Sequence, residues 1–260
     1  MNSAEQNQTV VLSIIIPTLN EENSITQTLR AVASFAQPVE VIVVDGGSQD
    51  QTARFVRAHQ VRFIESGRGR GGQMHAGARA AQGAVLWFLH ADTIPTPDAV
   101  KHIVESLQDP SIVGGNFDVR FDSQRLSAHC LTWFYRELRI MGLCYGDSAI
   151  FVRREAYEQS GGFQSFPIFE DLDFLRRLKG MGKFVHLSST VITSGRRFEG
   201  RGFIATFVRW VVLQLLYWLG VSPHRLAGLY RPVRNDGKES KELPARNNPE
   251  CADSYEDAKA

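Results

Sequence analysis

The 260-residue sequence is poor in three features, each of which would indicate a particular class of protein. It has three cysteines and no CxxC pair, which predicts reduced thiols rather than a disulfide framework. Its 29 basic and 28 acidic side chains leave a net charge of +1, so no global field attracts nucleic acid or anionic membranes. The longest apolar run, 208–221, is interrupted by Arg209 and Gln214 and is shorter than the roughly 20 residues of a membrane span.

The two ends of the chain are polar. The first residues, MNSAEQNQT, lack a basic segment followed by an apolar one, so no secretory signal is expected. We predict a flexible N-terminus over 1–9 and a disordered tail over 231–260, where hydrophobic periodicity is absent. The expected location is the cytoplasm, and peripheral contact with the inner face of the membrane stays open.

The first half of the chain alternates apolar segments with helical patterns. Segments 10–18, 39–45, 61–66 and 85–90 are rich in β-branched residues, as strands buried on both faces of a parallel sheet are. Helices are predicted between and after them, at 24–35, 50–58 and 73–81 and then from Thr96 as N-cap with Pro97 at the first helical position. This order predicts an α/β sheet with right-handed crossovers, whose ligands bind beyond the carboxyl ends of the strands.

The second half is more mixed. Strands are predicted at 112–121, 148–153 and 183–193, and helices at 126–140, 170–179 and 203–219. The last helix is strongly apolar and has little polar face. Three roles stay open for it: packing on the domain, a homodimer interface, or a membrane interface that presents a lipid acceptor.

Polar residues follow each of the four apolar segments of the first half, at 17–22, 45–50, 67–72 and 90–92. In a parallel sheet these four groups meet at one rim. Singly, each also fits a structural role: a turn at 45–47, a helix cap at Asp50, or carboxylates that favour a helix dipole. Together they predict a ligand crevice.

The segment GRGRGG, 67–72, matches G-x-G-x-x-G, and Asp92 follows Gly72 by 20 residues, as the acidic residue of a dinucleotide fingerprint does. That fingerprint belongs after the first strand of its unit, whereas this segment follows the third. An NAD(P)-dependent oxidoreductase is therefore kept as an alternative. The arginines and backbone N–H groups of the loop suit a phosphate in either case.

Four segments in order resemble family-2 glycosyltransferases with the GT-A fold. They are PTLNEENSI, EVIVVDGGSQDQT, the glycine–arginine loop with AQGAVLWFLHADT, and GGFQSFPIFEDLDFLRRLKGMGK, and the resemblance covers residues 10–195. It implies a GT-A-like fold with a mostly parallel, Rossmann-like sheet flanked by helices, followed here by the C-terminal apolar helix. It also implies sugar transfer from a nucleotide donor, usually a UDP-sugar, with inversion at the anomeric carbon and a divalent metal.

The resemblance assigns donor contacts to the strand ends. Glu21 would lie near the ribose, Asp45 would contact the uracil, and Arg70 would meet the diphosphate. Many relatives have a second acid where this chain has Gly46, so the chain departs from the family pattern at the contact that selects the nucleobase. The other residues implied to border the nucleoside are Pro17 and Leu19.

The metal position departs from the family pattern. Asp92 matches the last aspartate of the D-x-D motif, which binds Mg²⁺ or Mn²⁺, whereas His90 replaces the first. Hard cations prefer oxygen ligands and keep several waters, so one aspartate plus the diphosphate can hold Mg²⁺, while histidine suits Mn²⁺ and softer ions. Three roles stay open for His90: a metal ligand, a contact to the ribose or diphosphate, and a structural residue.

The acceptor hydroxyl requires a general base. The resemblance implies that Asp171 removes its proton, with Glu170 as the second candidate. Acids at a helix start are also favoured by the dipole, so capping is the structural alternative. Asp147 is expected to face the acceptor or donor sugar, or to serve a turn. Arg196 and Arg197 are expected to neutralise the diphosphate from a closing loop, with a solvated basic surface as the alternative.

We therefore predict one GT-A-like domain over 10–230, with a nucleotide-binding half at 10–110, an acceptor half at 111–200 and the apolar helix at 203–219. The predicted activity is inverting, hexosyl-type transfer from a UDP-sugar to a hydroxyl on a small-molecule or lipid acceptor, without nucleic acid as a partner. The alternatives are the oxidoreductase and a nucleotide-sugar-binding protein with little turnover, the latter suggested by the incomplete D-x-D.

Overall fold

The structure, a computed structural model, describes residues 12–122, 132, 148–194 and 203–229. Several predictions made from the sequence lie outside these residues: the two terminal segments, the helix at 126–140, and the residues Cys130, Cys144, Asp147, Arg196, Arg197 and Cys251.

Eight strands of the described part form one sheet. They are β1 Leu12–Thr18, β2 Glu40–Asp45, β3 Arg62–Glu65, β4 Val85–Phe88, β5 Thr93–Pro95, β6 Ile112–Asp122, β7 Phe151–Arg153 and β8 Lys183–Ser194. Their order is β3-β2-β1-β4-β7-β6-β8-β5. The first four strands of this order pair in parallel, as do β6 and β8, whereas β7 is antiparallel to β4 and β6, and β5 is antiparallel to β8. The predicted mostly parallel sheet is confirmed.

Helices cover both faces of the sheet. They are α1 Ile25–Ala33, α2 Thr52–Arg57, α3 Arg70–Ala80, α4 Ala99–Ser106, α5 Arg154–Gln159, α6 Glu170–Lys179, α7 Phe203–Trp218 and α8 Pro223–Ala227. Alternate side chains of β1 enter two different cores because successive strand residues point to opposite faces. Ile14 packs with residues of α1 and α4, whereas Ile15 packs with residues of α3 and α6. The result is three layers with the sheet in the middle.

Some predicted element boundaries are wrong. The predicted N-cap Thr96 instead begins a turn, in which its carbonyl accepts from the Ala99 N–H at 3.0 Å, and Asp98 occupies the N-cap of α4. Helix α3 begins three residues before its predicted start at position 73, at Arg70. Strand β7 begins only at Phe151, because Ala149 has a φ of 53°, which breaks an extended backbone.

Candidate active site

The carboxyl ends of the central parallel strands lie side by side. β1 is hydrogen-bonded to both β2 and β4, so the loops that follow these three strands share one edge of the sheet. The start of β7 reaches the same edge, where the Phe88 N–H donates to the Ile150 carbonyl at 2.8 Å. The sheet therefore brings the predicted ligand-binding loops together.

Asp45 closes the turn that follows β2. Its carboxylate accepts hydrogen bonds from the Thr18 hydroxyl at 3.1 Å, the Ser48 hydroxyl at 2.5 Å, and the N–H groups of Gly47 at 3.1 Å and Ser48 at 2.8 Å. The residue is 4% exposed. A carboxylate offers about four acceptor positions. A contact between Asp45 and a uracil, which stays a prediction, would thus replace one of these four bonds.

The loop after β1 is tied to the loop after β2. Asn20, with a φ of 55°, donates its N–H to the Ser48 hydroxyl at 2.9 Å and accepts from the Gln49 N–H at 2.8 Å. The Glu21 carboxylate accepts from the Ser24 hydroxyl at 2.8 Å. Glu21 is half-buried, as are Pro17 and Leu19, so all three keep surface that a ligand can contact. Their placement beside the nucleoside stays a prediction.

The start of α3 is joined to the start of α6. Arg70, the first residue of α3, donates from Nε to a carboxylate oxygen of Glu170 in an ion pair. The Glu170 side chain is 3% exposed and that of Arg70 is 33% exposed. Gly71 permits this approach, because a Cβ there would lie 2.2 Å from the Gln164 carbonyl oxygen. The loop expected to bind the diphosphate and the helix expected to supply the base are therefore in contact.

The acidic residues at the start of α6 differ in their partners. Asp173 pairs with Arg177, whose Nε and Nη2 donate at 2.9 and 2.7 Å and whose Nη2 also donates to the Gly162 carbonyl at 2.8 Å, so its role is structural. Glu170 pairs with Arg70. Asp171, 7% exposed, accepts the Leu172 N–H at 2.9 Å on Oδ1.

Phe169 precedes these acids in an unusual backbone conformation. It occupies the N-cap of α6 with a φ of 63°, in the left-handed region. An aromatic residue is rarely found there, and the conformation costs roughly 1–3 kcal/mol unless the surroundings enforce it. The direction in which α6 starts therefore depends on what holds Phe169.

His90 and Asp92 lie in a turn that the backbone fixes. The Leu89 N–H donates to the Ile15 carbonyl at 3.0 Å, and the Thr93 N–H donates to the His90 carbonyl at 3.1 Å. The Thr28 hydroxyl donates to the Ala91 carbonyl at 2.8 Å. The side chains of Asp92, the predicted metal ligand, and His90, whose role stays open, are both half-buried at this edge of the sheet.

Few candidate metal ligands meet at this edge in the described part of the chain. Among the described residues, no group of three or more His, Cys, Asp and Glu side chains is placed to hold an ion. One carboxylate and one imidazole, from Asp92 and His90, are compatible with a hard divalent ion that takes its other ligands from a diphosphate and water. The metal site itself stays a prediction.

The residues of the GRGRGG segment do not form a dinucleotide site. The segment follows β3, which is the last strand at one end of the sheet order, whereas the fingerprint follows the central first strand. Gly71 packs against the chain's own segment at 164–170. The loop is built for contact with α6.

Two site residues have no signal in the sequence. Gln73 donates from Nε2 to the carbonyls of Thr18 at 2.8 Å and Val44 at 2.9 Å, which fixes α3 to the ends of β1 and β2. A Cβ at Gly46 would lie 3.0 Å from the Gln73 side chain. The position at which many relatives have a second acid is therefore closely packed in this chain. Tyr217 of α7 contacts Phe169, and helical spacing alone does not indicate that partner.

Solved structures share this fold. The S. aureus TarS 1–349 structure in complex with UDP-GlcNAc matches with a TM-score of 0.60 and 19% identity over 75% of this chain and 61% of that chain. The mannosyltransferase PcManGT from Pyrobaculum calidifontis, in complex with GDP-Man and Mn²⁺, matches with a TM-score of 0.60 and 22% identity over 79% of this chain and 61% of that chain. The fold is thus that of the GT-A glycosyltransferases.

The sequence comparison then gives the family. The chain belongs to glycosyl transferase family 2, whose sequence model matches residues 13–159. It is 26% identical over 210 residues to "Probable glycosyltransferase YdaM" of Bacillus subtilis strain 168, covering 70% of this chain and 50% of the relative. The chain thus spans half the length of that relative. The predicted resemblance to family-2 glycosyltransferases is confirmed, and the family match argues against the oxidoreductase alternative.

Proposed function

We propose that the protein is an inverting glycosyltransferase that moves a sugar from a UDP-sugar to a hydroxyl acceptor, with Mg²⁺ or Mn²⁺ on the donor diphosphate. One observation carries this proposal: the Arg70–Glu170 ion pair brings the loop proposed for the diphosphate against the helix start that holds the proposed base. Transfer needs the leaving diphosphate and the acceptor hydroxyl on either side of one anomeric carbon, and this contact supplies that proximity.

The proposed roles follow the positions of the side chains. Pro17, Leu19, Glu21 and Asp45 border the nucleoside from the ends of β1 and β2, and TarS, bound to UDP-GlcNAc, supports a nucleotide-sugar donor of this type. Arg70 meets the diphosphate at the start of α3. A direct, inverting displacement requires the base, the Asp171 carboxylate of α6, to lie on the opposite side of the anomeric carbon from the leaving group.

The reaction is a single displacement. Asp171 takes the proton of the acceptor hydroxyl as that oxygen forms the new bond to the anomeric carbon. The bond from this carbon to the diphosphate breaks with its electron pair, and Arg70 stabilises the negative charge that develops on the leaving group. Asp92, with His90 beside it, would hold the divalent ion, which neutralises diphosphate charge when bound.

Ligand binding tests the donor proposal directly. UDP at about 100 times its dissociation constant, with Mn²⁺, is expected to stabilise the protein by about 2.7 kcal/mol, which raises Tm by about 5–10 °C for a chain of this size. Differential scanning fluorimetry measures the shift, and NAD⁺ with Mn²⁺ is the control that should give none. A protein that ignores UDP, UDP-glucose and UDP-N-acetylglucosamine in the presence of metal contradicts the proposal.

Helix α7 leaves an apolar stripe in solvent. Val208, Val212, Leu215 and Leu219 follow the spacing of one helical face and are 52%, 48%, 49% and 81% exposed. Residues 200–235 contain five arginines and neither Asp nor Glu, although the whole chain is almost neutral. In the part of the chain that the structure describes, no helix combines the length and hydropathy needed to cross a membrane.

We propose that this stripe binds peripherally to an anionic membrane surface at the cytoplasmic face, where it would place the crevice near a lipid acceptor. An apolar helix face flanked by arginines suits such a surface, because the side chains enter the interface while the arginines meet the headgroups. The same charge opposes self-association through this face, which disfavours the homodimer.

Vesicle co-sedimentation tests the membrane contact. Binding to vesicles with 30 mol% phosphatidylglycerol is expected to exceed binding to phosphatidylcholine vesicles by about fivefold or more, since each arginine near an anionic surface contributes about 1 kcal/mol. Leu219→Glu should remove this binding, whereas Gln108→Glu adds the same charge at another exposed site and should not. Equal binding by Leu219→Glu, or a wild-type dimer in light scattering that Leu219→Glu dissociates, would count against the proposal.

A further inference from the structure

Tyr217, in the last turn of α7, packs on Phe169, the residue before Glu170 and the proposed general base Asp171. Its ring centroid lies 5.1 Å from that of Phe169, with the planes inclined by 38°. Aromatic pairs at this separation contribute about 0.5–1.5 kcal/mol beyond the area that they bury. The contact joins the apolar C-terminal helix to the start of α6.

A small core surrounds this contact. Ile168 and Phe169 are 8% and 7% exposed, and they pack with Leu213 of α7 and Leu226 of α8, which are 3% and 1% exposed. His224 of α8 lies edge-on to Phe166, with 5.9 Å between the ring centroids. The α7–α8 hairpin thus packs against the chain on its approach to α6, and this core is separate from the two cores of the sheet.

The pKa of the Tyr217 phenol responds to the charges of α6. Burial raises the pKa of the Tyr217 phenol, the Asp173 and Asp171 carboxylates raise it further, and the cations of Arg176 and Arg177 oppose them.

We infer that Tyr217 is a positioning residue for Asp171: its ring holds Phe169 in the left-handed conformation and so fixes the direction in which Glu170 and Asp171 leave the N-cap. This inference rests on the proposed function of Asp171. The strained backbone of Phe169 persists only where surrounding contacts enforce it, and the Tyr217 ring is an aromatic contact that α7 supplies.

Steady-state kinetics test the role of the ring. With the fastest donor among UDP-glucose, UDP-galactose and UDP-N-acetylglucosamine, Tyr217→Ala is expected to lower kcat for UDP release by about 10- to 100-fold, the range caused by misplacing a catalytic group by about 1 Å. The donor KM should change less than kcat does, because the proposed nucleoside contacts come from the ends of β1 and β2 and α6 reaches the donor loop through the Arg70–Glu170 pair. Tyr217→Phe keeps the ring and should retain kcat.

Two further variants separate positioning from general destabilisation. Trp218→Ala removes an aromatic side chain that is 54% exposed on the same helix and should leave kcat unchanged. Ile103→Ala weakens a different core and should lower Tm without lowering kcat at a temperature well below Tm. Normal kcat in Tyr217→Ala, an equal loss in Ile103→Ala, or a loss in Tyr217→Phe as large as in Tyr217→Ala each overturns the inference.

Hydrogen exchange tests the same inference without relying on activity. The Asp173 N–H donates to the Phe169 carbonyl at 3.1 Å, the first hydrogen bond of α6. In Tyr217→Ala, exchange of the Asp173 amide should speed up by about tenfold or more as this turn loosens, while α3 and the Trp218→Ala variant stay protected. Unchanged exchange overturns the inference even if the protein proves inactive, whereas failure of UDP to bind contradicts only the proposed function.

Discussion

Replacing Asp171 with asparagine is expected to lower the rate of sugar transfer by about 10²- to 10⁴-fold, the range that a positioned acid–base group contributes. Asparagine has the same shape and can still accept the Leu172 N–H that Asp171 binds at 2.9 Å. It cannot accept a proton from the acceptor hydroxyl. The loss should therefore appear in kcat, measured as UDP release, while the affinity for UDP with Mn²⁺ stays within about twofold.

The neighbouring acids provide matched controls for this result. Asp173→Asn weakens the pairing with Arg177 and should lower Tm with little effect on kcat. Glu170→Gln weakens the pairing with Arg70, so its main expected effect is on stability and on the donor loop. An Asp171→Asn enzyme as active as the wild type, or a larger loss in Glu170→Gln than in Asp171→Asn, would reassign the base.

Replacing Asp92 with asparagine is expected to lower metal-dependent transfer on the order of 10³-fold. A bound cation contributes several kcal/mol to the stabilisation of transition-state charge, and about 1.4 kcal/mol corresponds to a factor of ten in rate. In calorimetry, the affinity of Asp92→Asn for UDP in Mn²⁺ should fall to the value that the wild type shows in EDTA. An unaltered metal requirement in this variant would exclude Asp92 as the ligand.

His90 offers a companion measurement at the same turn. His90→Asp restores two carboxylates at the ends of the motif, and oxygen ligands favour Mg²⁺ more than a histidine does. The ratio of activity in Mg²⁺ to activity in Mn²⁺ should therefore rise in this variant. An unchanged ratio would indicate that His90 does not contact the ion. Its remaining roles would then be a contact to the ribose or diphosphate and a structural one.

The sequence predicts the parallel part of the fold well because two signals agree there. Buried strands are continuously apolar, and the helices between them have a different period, so β1 to β4 and α1 to α3 are all predicted within three residues at their starts. Strand β5 and helix α8 are only three and five residues long, too short to show a period, and neither is predicted. The antiparallel placement of β7 between β4 and β6 depends on tertiary pairing, which local sequence does not encode.

The candidate site also has a part that the sequence predicts and a part that it does not. Its loops can be predicted because parallel strands bring their carboxyl ends to one edge, whatever the rest of the chain does. The ion pair between Arg70 and Glu170 joins residues 100 positions apart, and no local pattern indicates it. The left-handed Phe169 is also unpredictable, since an aromatic residue there is held by packing against its own preference.

In the Arg70–Glu170 pair, the cation of Arg70 belongs both to the proposed donor subsite and to the start of α6, where the proposed base lies. If Arg70 binds the donor diphosphate as proposed, one guanidinium contacts both the donor and Glu170, so the charge beside Asp171 changes when the donor site fills. Such a shared partner couples the two sites by a single free energy, so that donor and acceptor alter each other's affinity by the same factor.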